Sequence, residues 1–108
     1  MDRAELAARL VEADEARQDA LLEQSVGVAE TKLAIQLALI LKDICLDGWS
    51  SDPARSLAAA ATLRKIFQLH PEPEIEALSL WSGGIEALIG GDMPRAIDSL
   101  DRARAGFL

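Results

Sequence analysis

The sequence predicts an all-α protein built from antiparallel helix pairs, and three observations carry that expectation. Ala and Leu are the commonest residues, 19 and 17 of 108, and they lose the least conformational freedom in a helix. No segment alternates polar and apolar residues for long enough to form a strand. Apolar residues recur instead at helical spacing, in blocks separated by clusters of Gly, Pro and Asp.

Taken in order, residues 2–24 are amphipathic, with Leu6, Leu10, Ala13, Ala20 and Leu21 mainly on one side. Asp14-Glu15 is a cap signal inside that stretch, which opens the alternative of two short helices. Ser25-Val26-Gly27 interrupts the pattern. From Val28 to about Leu46 apolar residues nearly encircle the helix (Ala34, Ile35, Leu37, Ile40, Ile44), so this helix is expected at the centre of the domain. The cluster DGWSSDP then turns the chain. Asp52-Pro53 reads as N-cap and first helical residue, with Leu57, Ala60, Leu63 and Phe67 as the packing stripe to about Leu69. His70-Pro71-Glu72-Pro73 ends that helix, because each proline disfavours helical geometry in the residue before it. Glu74 and Glu76 suit the positive first turn of the next helix, which reaches about Ile89. Gly90-Gly91 supplies a left-handed C-terminal cap. Asp92 starts a last helix whose expected buried face is Met93, Ala96, Ile97, Leu100, Ala103 and Phe107.

A net charge of −7 argues against nucleic acid, since no basic stripe exists to displace counterions from phosphates. The single cysteine, Cys45, excludes an internal disulfide and suits a reducing compartment. The N-terminal stretch is charged throughout and has no apolar run suitable for a signal peptide, and no apolar run approaches the roughly 20 residues of a membrane span. The expected location is cytoplasmic, with no membrane partner.

Shifting the chain by 40 residues aligns Ile35 with Ile75, Asp52 with Asp92, Arg55 with Arg95, Arg64 with Arg104 and Phe67 with Phe107, without a gap. Leu57 falls on Ile97, and Ser56 on Ala96. The matches lie on caps and buried stripes, which is what two stacked helix–turn–helix units require.

In the second unit, Gly84, Gly91, Asp92, Ala96, Ile97, Leu100 and Ala103 stand at the spacing of a tetratricopeptide repeat, which the segment WSGGIEALIGGDMPRAIDSLDRA resembles. The first unit matches more loosely through Asp52, Ser56, Leu57 and Ala60. Its period exceeds the usual 34 residues, and Ile44 stands where the family has a small crossing residue. The resemblance implies an all-α, TPR-like right-handed solenoid of stacked antiparallel pairs. Residues 1–27 form one or two N-terminal helices, 28–69 a first degenerate pair and 70–108 a second, all in one domain. The segments WSSDPARSL and LWSGGIEALIGGDMPRAIDSLDRARAGF also resemble the helical-repeat region that precedes a caspase-like CHAT domain in some bacterial proteins. Helical sensor regions of bacterial signalling ATPases look similar too.

Candidate sites are few. Cys45 lies on an apolar helix face, where a thiol acts as a small core filler and lacks the exposure and basic neighbour of a nucleophile. His70 is alone, far short of the four ligands of a zinc site. The acidic clusters Glu12/Asp14/Glu15 and Glu72/Glu74/Glu76 read as solvated helix starts, and Gly83-Gly84 and Gly90-Gly91 follow no strand and are not phosphate loops. No catalytic, cofactor or metal site is therefore expected, and the chain is not read as an enzyme. The tetratricopeptide resemblance implies a protein-binding groove lined by Ala38, Leu41, Cys45 and Trp49 in the first unit and Leu78, Trp81, Ile85 and Leu88 in the second. Either a protein or peptide partner occupies this apolar strip, or residues 2–24 fold over it; the rarity of open apolar patches favours the second.

The expected function is a non-enzymatic protein–protein interaction scaffold. The alternative is a regulatory or ligand-sensing helical segment attached to a catalytic domain, a CHAT protease or signalling ATPase, absent from this chain. The last helix ends without a polar cap, so the chain is expected to be a fragment of a longer protein and to form homo-oligomers through that helix.

Overall fold

The computed structural model describes residues 3–25 and 31–107, which form six helices and, among those residues, no strand. They are α1 (Arg3–Glu12), α2 (Glu15–Ser25), α3 (Thr31–Gly48), α4 (Pro53–Leu69), α5 (Pro73–Ile89) and α6 (Met93–Phe107). The expected start of the third helix at Val28 lies outside the described residues, as do Leu108 and the Phe107 side chain.

Local chemistry sets the boundaries. Asp14 breaks the N-terminal stretch in two: its carboxylate accepts from the Arg17 N–H at 2.9 Å and so caps α2. Asp52 and Asp92 do the same for Arg55 (3.3 Å) and Arg95 (3.2 Å), each cap contributing about 1 kcal/mol. At the end of α5, Gly91 takes φ +78°. This lets its own N–H reach the Leu88 carbonyl (3.1 Å) and the Asp92 N–H reach Ala87 (2.9 Å), a Schellman closure. α4 and α6 begin 40 residues apart behind matching aspartates, so the sequence repeat is also a repeat of secondary structure.

α3 packs against α4 and α5, α4 against α5, and α5 against α6, while α1 lies on α3 and α4. Small residues set the closest approaches. In the first pair the Ser56 hydroxyl donates to the Cys45 carbonyl at 2.5 Å, and Gly48 stands beside Ser56. In the second, a side chain at Gly84 would sit 2.6 Å from Leu100 Cγ, and one at Gly106 would sit 3.0 Å from Ala77 Cβ. Ile44, aligned with Gly84, is half-buried; the first pair makes its closest contact one residue further on, at Cys45.

One core runs through five helices. It joins Leu6, Leu10 and Val11 of α1 to Leu37 and Leu41 of α3, Leu63 and Ile66 of α4, and Ile75 and Leu78 of α5. α2 adds buried Leu22 to that core, with Leu21 packed against it, and is held by polar groups as well. Buried Gln18 donates from Nε2 to the Leu10 carbonyl (2.9 Å) and to Thr62 Oγ1 (2.7 Å), and Lys65 pairs with Asp19 at 2.9 Å.

Two expectations about burial need correction. α3 is held by α1, α4 and α5, and α5 by α3, α4 and α6, but of the two only α3 leaves large apolar side chains, Leu39 and Leu46, exposed. On α6, Ala96 and Ala103 are buried and Leu100 half-buried, but Met93 and Ile97 face outward. α5 is the one neighbour that α6 packs against extensively, and one neighbour cannot cover a stripe that wide.

Candidate functional site

The eight groove positions lie mostly inside the molecule. Ala38, Leu41 and Cys45 are wholly buried, Leu78 and Ile85 nearly so, and Trp81 and Leu88 are half-buried against the same core. Only Trp49, in the turn after α3, is exposed. The strip is therefore not an open groove: α3 and α5 touch directly, and α1 adds its own apolar face to the same core.

Cys45 is the most shielded titratable group. Burial pushes its thiol above the ordinary value of 9.0, the hydroxyls of Ser56 and Ser82 oppose the rise, and the Glu86 carboxylate adds to it. The unfolded thiol ionises first. Between the ordinary value and the folded one, the unfolded chain has lost a proton that the folded chain still holds, so stability falls as pH rises through about 9. Urea unfolding of the wild type between pH 7 and 10 is expected to show that decline, and Cys45→Ala is expected to flatten it. An unchanged slope in the variant would remove Cys45 as its source.

The charged groups are largely engaged with one another. Glu86 of α5 accepts two bonds from Arg64 Nη1 of α4, at 2.8 and 2.9 Å, and lies 3.7 Å from Arg95 of α6. Glu12 meets Arg55 at 3.6 Å, while Asp14 is a cap. An open depression between α2 and α4 is lined by Glu15, Gln18, Ala61, Arg64, Lys65 and Gln68, but both of its cations already have carboxylate partners. His70 closes α4, its N–H bonded to the Ile66 carbonyl at 2.8 Å. Among the described residues no three His, Cys, Asp or Glu side chains gather as a metal site, and no helix is long and apolar enough to cross a membrane.

What the fold leaves outside is apolar. Leu39 and Leu46 are exposed two turns apart on α3, and Trp49 is exposed in the turn that follows. Met93 and Ile97 lie one turn apart on α6. The sequence reading missed Leu39 and Leu46 because a helix apolar all round offers no signal for which side lacks a neighbour. No family model, curated protein or solved structure matches this chain.

Proposed function

We propose that the chain is a non-enzymatic protein-binding module, a short solenoid of the tetratricopeptide kind with α3–α4 and α5–α6 as its two pairs. The matched caps and the contacts of α3 with α4, α4 with α5, and α5 with α6 support that arrangement. The observation that carries the binding role is the α3 stripe, where Leu39, Leu46 and Trp49 are 44%, 43% and 46% exposed. Covering the part of such a side chain still exposed releases about 1 kcal/mol. Exposed apolar side chains that include a tryptophan are typical of an interface hot spot. Exposed Asp47 borders Leu46, while Asp43, between Leu39 and Leu46, is paired with Lys42 at 3.0 Å, so the fitting partner is an apolar segment with a basic group opposite Asp47, and salt should slow its association.

Affinity capture tests this reading. A protein retained by the wild type should be lost from Leu39→Asp and from Leu46→Asp, each of which leaves the core untouched. Equal retention by all three would overturn the assignment of the stripe.

A further inference from the structure

Inside the chain, α4 holds α5, and the contact includes the Arg64–Glu86 pair. Moving forty residues along turns α4 into α6; moving forty back turns α5 into α3. The α4 face that carries Leu57, Ala60 and Arg64 thus has its counterpart in Ile97, Leu100 and Arg104. Ala60 is 1% exposed and Leu57 half-buried, whereas their counterparts Leu100 and Ile97 are half-buried and 62% exposed. The Arg104 side chain is open to solvent and held only by Asp101, one turn away at 3.4 Å. The helical line through Glu86 on α5, at spacings of three and four residues, translates on α3 into the line through Leu39, Leu46 and Trp49. Among the described residues, α6 and α3 therefore each leave uncovered one half of a contact whose complete form, α4 on α5, exists within the fold.

We infer that these two faces are made for each other, and that the α6 face of one copy receives the α3 face of a second, head to tail. This rests on the protein-binding reading and names the partner. The charges agree: Arg104 stands two turns beyond Ile97, where Asp101 also pairs with it, and Asp47 stands beside Leu46, the position aligned with Glu86. α5 of a second copy cannot serve instead, since its own α3, α4 and α6 enclose it. A contact between two different faces does not close on itself in a pair, so it adds copies in a row.

Sedimentation of the whole chain over a wide concentration range tests this, with circular dichroism confirming that the variants fold. The wild type should grow past dimer, and added salt should shrink it. Leu46→Asp and Ile97→Asp should each weaken association about tenfold or more, as loss of a central apolar contact does. Mixed in equal amounts, the two variants should form a dimer that goes no further, because one keeps a sound α6 face and the other a sound α3 face. A wild type that stays monomeric overturns the inference, as does a mixture that stays monomeric. If either variant alone still forms a dimer of wild-type strength, the contact is not head to tail. A monomer that nonetheless retains a different protein through Leu46 overturns self-assembly and leaves the protein-binding reading standing.

Discussion

Leu10→Ala is expected to destabilise the entire molecule, by about 2–5 kcal/mol, and not merely to loosen its N-terminus. Leu10 is wholly buried on α1, in the core that also holds Leu41, Leu63 and Ile75. Truncating it leaves a cavity where three later helices meet the first. A domain of this size has only about 5–15 kcal/mol to lose, so the variant should begin to unfold at much lower urea. The measurement uses Trp81 of α5 as the fluorescent reporter, in a Trp49→Phe background, alongside far-ultraviolet circular dichroism. Both probes should shift together, with an unchanged slope against denaturant. A Trp81 transition that stayed in place while helicity fell early would mean that α1 and α2 unfold separately from the rest.

The helix boundaries were legible because they rest on short-range chemistry. Asp52-Pro53, the two prolines around Glu72, and Gly90-Gly91-Asp92 each act within a turn of chain, and the helices start and stop beside them. Asp14 shows the same thing in weaker form, since it admitted either one helix or two, and its bond to Arg17 decides for two. Burial on each helix face was less legible. Periodicity says that a face is apolar, but not how many neighbours reach it. α3 and α5 are both rich in apolar residues; α5 is enclosed because α6 follows it and α4 precedes it, while one side of α3 faces no other described helix. Ile97 aligns with half-buried Leu57 of α4, and no described helix covers it.

The same limit explains the candidate groove. Placing Ala38, Leu41, Cys45, Leu78 and Ile85 on inward faces was a matter of register, and those residues do lie inward. Whether two such faces line a channel or close on each other depends on the spacing of α3 and α5 and on where α1 settles, and both are properties of tertiary packing. Buried polar contacts were invisible for a related reason. Gln18 sits in a charged, surface-like stretch of sequence, yet its amide bridges Leu10 and Thr62 across three helices. Its partner Thr62 is 44 residues away, and no local pattern encodes that distance.

Gly84→Val against Gly83→Val tests the repeat itself. The glycines are adjacent in α5, so intrinsic helix preference treats them alike, with valine gaining a few tenths of a kcal/mol over glycine. Their surroundings differ. A Cβ at Gly83 meets nothing within 4 Å, whereas one at Gly84 falls 2.6 Å from Leu100 Cγ, 2.7 Å from its Cδ2 and 3.4 Å from the Ala96 carbonyl. Leu100 could swing aside for a single methyl, but valine is branched at Cβ and stiff, and the Ala96 carbonyl is backbone. Gly84→Val should therefore cost about 1–3 kcal/mol through overpacking, lowering the melting temperature by roughly 4–20 °C. Gly83→Val should leave it unchanged or slightly higher. Adding Leu100→Ala to Gly84→Val should return part of the loss, and the resulting coupling assigns the cost to this one contact. Equal melting temperatures for the two single variants would mean that α5 and α6 do not cross closely at Gly84, and the second helix pair would lose the feature that makes it a repeat unit.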